Sequence, residues 1–144
     1  MTLFTKLKVL GSAVALSLSS CGPIAAQTAY EPKDIFVVSH VDIAPINAPG
    51  TSIDEFIVAV GKATQDAAIL LKKLAVSCHK DTSCRAFEVF QQVDAPNHFT
   101  VLQHWTTSAA FEAHEAGNDV RDIRAKLQPI LGSPIDVRVH HRIL

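Results

Sequence analysis

The chain has 144 residues, 48% of them hydrophobic, and a formal net charge of −1. That charge, without any basic run, excludes the electrostatic footprint of a nucleic-acid binder. The length suits one domain with one real core.

Lys6 and Lys8 precede an apolar run from Val9 to Leu18, which is too short to span a bilayer as a mature helix. Ser19, Ser20, Cys21 and Gly22 follow. The pattern predicts an export signal over 1–29 and a mature domain over 30–144. Such a signal directs the domain to the periplasm or cell envelope of a bacterium. Two processing modes are open. Leu18-Ser19-Ser20-Cys21 resembles a bacterial lipobox, in which Cys21 is lipidated and tethers the domain to a membrane, its only predicted membrane contact. Ordinary cleavage after Ala26 or Ala29 would release it instead.

Asp34–Ile43 is predicted as the first strand. Ile35, Val37, Ser39, Val41 and Ile43 share one face, and Phe36, Val38, His40 and Asp42 share the other. Ser52 and Glu55 form a capping box. It opens a helix whose Phe56, Val60, Ala63, Ala67, Leu71 and Leu74 recur on one side, with an end expected near Val76. Cys78 and Cys84 then form an even pair in an oxidising compartment, Cys21 being lost or lipidated. They bracket a polar loop, and a disulfide between them would contribute about 2 kcal/mol on the chain-entropy model. Their spacing exceeds that of paired zinc ligands and only His79 is near, so no metal site is predicted.

Arg85–Val93 and Phe99–Thr106 are predicted as a hairpin turning at Ala95-Pro96-Asn97. Thr107 or Ser108 can cap a short helix carrying Phe111 and His114, which Gly117 ends. Asn118 or Asp119 can start another helix, with Ile123 and Leu127 buried. Ile135–Leu144 is the last strand, with Ile135, Val137, Val139, His141 and Ile143 facing one way. The fold class is therefore α+β, a ferredoxin-like βαββαβ unit with a four-stranded, mainly antiparallel sheet. Helices on one side leave the other sheet face uncovered, and a homodimer pairing two such faces would cover it.

Phe87-Glu88-Val89-Phe90, Asp94 to Phe99, Trp105, and Ala110-Phe111-Glu112-Ala113-His114 together resemble the antibiotic biosynthesis monooxygenase (ABM) domain family, from about Ile35 to Leu144. The resemblance implies a dimeric α+β barrel with a pocket between each sheet and its own helices. It also implies a monooxygenase-like activity on a small aromatic or quinol-type substrate without a cofactor. Two positions depart from the family. Many members carry Glu where this chain has Gln103, and many carry His where it has Asp119. Gln103 exchanges no proton at useful pH.

Cofactor-free oxygenation needs a base, fixed polar groups to hold the resulting anion, and shelter from water. His114 is the candidate base, since histidine titrates near neutral pH. Trp105, the second candidate catalytic residue, could stack a flat ring, or could be a core aromatic that seals the strand end against the helix. Gln103 on the same strand face could orient a hydroxyl or carbonyl, and His40 and Phe111 are further candidate substrate contacts. His104, on the opposite face from Trp105, is expected in the barrel interior or at an interface. No Gly-rich phosphate loop is present, so nucleotide and flavin have no support. Haem bound through His114 is the alternative cofactor. The rival function is a non-catalytic small-molecule-binding dimer of the envelope.

Overall fold

The computed structural model describes residues 33–143. The predicted export signal and the lipidation candidate Cys21 lie outside those residues. The elements run β1 (Ile35–Asp42), α1 (Ile53–Cys78), β2 (Cys84–Gln91), β3 (His98–Trp105), α2 (Ser108–Glu115), α3 (Asn118–Leu127), a 3-10 turn over Gln128–Ile130, and β4 (Asp136–His140). The four strands form one sheet in the order β2-β3-β1-β4, and every neighbouring pair is antiparallel. This is the predicted ferredoxin-like α+β fold, with the second helical segment broken into α2 and α3.

Alternation along β1 and β3 sets what lies under the helices. Ile35, Val37, Ser39, Val41 and Ile43 are buried, as are Phe99, Val101, Gln103 and Trp105. The ladder pairs Val37 with Gln103 and Ile35 with Trp105, so these residues share one face. α1 covers that face with Ala63, Ala67, Leu70, Leu71 and Leu74. Its start is fixed by the predicted capping box. The Ser52 backbone N–H donates to Glu55 Oε2 at 2.8 Å, and the Glu55 N–H donates back to Ser52 Oγ at 3.3 Å. The Ser52 N–H, and with it the Ser52 hydroxyl that donates to Glu55 Oε2 at 2.7 Å, hold the Glu55 carboxyl below its usual range. No residue before Ala63 on α1 is buried, so its first turns overhang the core.

Several boundaries differ from expectation, among them the end of β2 at Gln91 instead of Val93, and three have a clear cause. The helix α1 continues past Val76 to Cys78. Nothing in Val76-Ser77-Cys78 breaks a helix, and Cys78 is fully buried and bonded to Cys84. Gly117 does not end α2 in a left-handed turn; it is extended at φ −65° and serves as the N-cap of α3. A Cβ there would come within 2.9 Å of the His114 carbonyl oxygen, so this junction needs glycine for close approach. The last strand covers only Asp136–His140, because His140 pairs with Phe36 near the start of β1 and no partner strand continues beyond among the described residues. Val137 and Val139 lie on the helix side but remain 39% and 50% exposed.

The opposite sheet face has no cover among the described residues. Phe90 and Leu102 are 50% and 37% exposed there. His104 lies on this face as expected, stacked on Phe36 with ring centroids 4.5 Å apart and 3.0 Å from the Asp34 carboxylate. His40 is also on this face, exposed and 3.4 Å from Thr100 Oγ1.

The Cys78–Cys84 bond ties the end of α1 to the start of β2 across a short loop. Replacing both cysteines (Cys78→Ser with Cys84→Ser) is expected to lower stability by about 2 kcal/mol in urea denaturation. An unchanged midpoint would contradict that role.

Candidate active site

Trp105 is the largest fully buried side chain. It ends β3, two residues after Gln103, so both side chains point toward the helices. An indole N–H buried this deeply needs an acceptor. Its Nε1–H donates to Gln103 Oε1 at 2.9 Å. Because indole nitrogen can only donate, the amide oxygen must face it, and the Gln103 NH2 group is left for other partners.

The helix α2 delivers His114 and Phe111 onto the same indole. Thr107 caps it, its Oγ1 accepting from the Ala110 N–H at 3.1 Å. Spacing of three residues then puts Phe111 and His114 on one face. The His114 ring centroid is 4.8 Å from that of Trp105 with a 44° tilt, and Phe111 is 6.1 Å away. Burial is the main cause that pushes the His114 pKa down. The carboxylates of Glu115 and Asp81 oppose this, and the Arg124 guanidinium reinforces it. The neutral imidazole, the form that can accept a proton, is thereby favoured.

Gln103 and His114 border a cavity between the sheet and the helices. Val41, Leu74 and Val101 are among its apolar walls, and Gln103 and His114 are polar members. Glu115 from α2 and Arg124 from α3 complete it as an ion pair through Arg124 Nη2 and Glu115 Oε2. Their side chains keep 26% and 30% exposure, which sets them at the mouth while the apolar walls are buried. The space open to the centre of a water molecule is about 20 Å³. That accommodates water but not a flat ring without movement of the lining. A haem beside His114 would need a still larger movement of the same lining.

The predicted residues thus divide. Gln103 and His114 meet in the cavity. Trp105 touches both but sits behind them, with no exposed surface for stacking a ring. Phe111 packs behind Trp105 and does not line the cavity. His40 does not reach it, because the alternation of β1 places it across the sheet from Ser39, which does. Asp119 pairs with Lys80 at 3.6 Å, away from the cavity. Arg124 and Glu115 escaped the sequence analysis. The signal was present in α3, where Val120, Ile123 and Leu127 form a buried stripe and Arg124 occupies its fourth helical position. Among the described residues no group of three or more His, Cys, Asp or Glu could hold a metal ion.

The family model for antibiotic biosynthesis monooxygenase matches residues 52–126, which include Gln103, Trp105, His114 and Arg124. A conserved protein from Methanosarcina mazei Go1 shares the fold at TM-score 0.61 and 18% identity, over 78% of this chain and 95% of its own. A cofactor-independent oxygenase, SnoaB from Streptomyces nogalater in a mutant form, superposes at TM-score 0.58 and 10% identity, over 76% and 93% of the two chains. A protein from Mycobacterium tuberculosis superposes at TM-score 0.60 and 14% identity, over 76% and 95%. No curated protein matches the chain in sequence.

The depressed His114 pKa has a consequence for stability. An unfolded histidine titrates near 6.5, and the folded value lies lower. Between the two, the unfolded chain binds more protons, so stability rises with pH through that window. The contribution is complete above the unfolded value and is lost as pH falls toward the folded one. The urea midpoint should therefore drop more between about pH 7.5 and about pH 5 in the unmodified protein than in His114→Gln. Equal drops would show that His114 is not held neutral by burial.

Proposed function

The chain belongs to the antibiotic biosynthesis monooxygenase family, and we propose that it is an exported, cofactor-independent monooxygenase acting on a small phenol or quinol. The observation that carries this is the convergence of Gln103 and His114 on one apolar cavity, both braced by Trp105. Neutral His114 takes the hydroxyl proton, because the electron-rich anion is what can pass an electron to dioxygen. The Gln103 NH2 group, turned away from the indole, donates to the substrate oxygen. One oxygen atom of dioxygen enters the substrate and the other leaves as water, the substrate supplying the electrons. Trp105 acts as the brace of this pair. That SnoaB is a cofactor-independent oxygenase on a similar fold supports the reading.

A quinol panel followed by oxygen uptake tests this. Uptake above buffer is expected, falling about 100-fold or more in His114→Ala. No uptake, or uptake indifferent to His114→Ala, would remove the catalytic role. The second reading is a non-catalytic binder of small aromatic ligands, which Gln103 favours because it cannot replace the Glu of relatives as a base. Saturable ligand binding without oxygen uptake would establish that reading instead.

The working unit we propose is a homodimer formed through the open sheet face, where Phe90 and Leu102 are exposed beside Phe36 and Val38. A charge placed in such a seam is desolvated without a partner. Leu102→Asp should therefore sediment as a monomer where the unmodified protein sediments as a dimer. A monomeric unmodified protein would contradict the assembly. Export rests on the leader pattern in 1–29, and cell fractionation checks it: the protein should leave the cytoplasm.

A further inference from the structure

Arg124 holds the only cationic group bordering the cavity among the described residues. It enters from α3, out of an otherwise apolar stripe, and Glu115 engages its Nη2 at the mouth. Its Nε is buried and meets no acceptor among the described residues. A guanidinium presents five donors in one rigid plane, and a buried N–H left unpaired is costly enough to call for an acceptor.

We propose that Arg124 is the anion-holding residue of this site: its inner N–H edge receives the phenol or quinol oxygen as that oxygen becomes negative, and Glu115 is its counter-ion until substrate enters. The assignment rests on the reading of the cavity as a phenol-oxidising site. In the step concerned, the substrate O–H bond breaks and its proton moves to the His114 imidazole. The electron pair stays on the oxygen. The oxygen then carries negative charge beside a fixed guanidinium and the Gln103 amide, and the negative charges of Glu115 and Asp81 favour the new imidazolium. Such an arrangement selects an ionisable aromatic oxygen over an ether of the same shape, because only the former can use the charge.

Two probes of equal ring size test this with the full chain. The phenolate of 4-nitrophenol absorbs visible light, whereas 4-nitroanisole cannot ionise. The titration midpoint of bound 4-nitrophenol should fall by about one unit or more, meaning that phenolate binds about tenfold tighter than phenol. Arg124→Gln should return the midpoint to that of the free probe, and Arg124→Lys should keep part of the shift. Glu115→Gln, which frees the guanidinium, should enlarge it. Affinity for 4-nitroanisole should stay constant throughout. If Arg124→Gln does not fold, the Lys and Glu115 variants still decide the matter. An unshifted midpoint in the unmodified protein, or a shift that survives every Arg124 variant, overturns the assignment and leaves the cavity reading standing. Failure of both probes to bind overturns the cavity reading and the assignment together.

Discussion

The structure turns on the indole of Trp105. A ring of that size at the end of a strand fills the space under α2 and closes the core. Its one polar atom cannot reach water, so it takes the Gln103 carbonyl, and that hydrogen bond fixes which end of the amide faces the cavity. The same ring gives His114 a surface to lie against. Core packing and site geometry are therefore one arrangement. A change at Trp105 would disturb both polar groups at once, even though the indole does not border the cavity.

Around this brace the sheet divides the molecule in two. The helix side is apolar and closed, except along β4, where Val137 and Val139 stay partly exposed. The far side carries Phe36, Val38, Phe90 and Leu102 together with His40 and His104. His104 is held there by Phe36 and Asp34, so it shapes that surface without reaching the cavity. The disulfide and the glycine at position 117 act at the joints. One binds the end of α1 to β2, and the other allows α3 to leave α2 at the His114 carbonyl.

Much of this was legible in the residues. The period-two phase of Ile35–Asp42 and His98–Trp105 marks strands, and it put Gln103 and Trp105 on the same side. Ser52 with Glu55, and Thr107 before Ala110, announced the helix starts through chemistry local to each cap. His40 was harder, because phase separates it from Ser39 but does not say which side receives the helices. The two readings of Trp105, stacking surface or core aromatic, stayed open in the sequence because alternation gives direction and not depth. Whether an indole borders a hollow or fills it depends on the packing of Phe111 and His114 around it. Arg124 was passed over because a charged residue on an amphipathic helix normally faces water. Its neighbours Val120, Ile123 and Leu127 show the opposite only when laid on the helical stripe.

The cavity is narrow at rest, with Glu115 and Arg124 paired at its mouth. Under the proposed function that pair, or the lining beside it, yields when a ring enters, and the enclosure that follows would shelter the anion from water. Trp105 is the only tryptophan in the chain, so its emission reports on this place alone. The most direct measurement is the anaerobic titration of Trp105 fluorescence with hydroquinone. A saturable change that weakens in Gln103→Ala is the predicted result. A change that grows linearly without saturation, or none up to the solubility limit, would contradict the existence of a binding site against the braced Gln103 and His114.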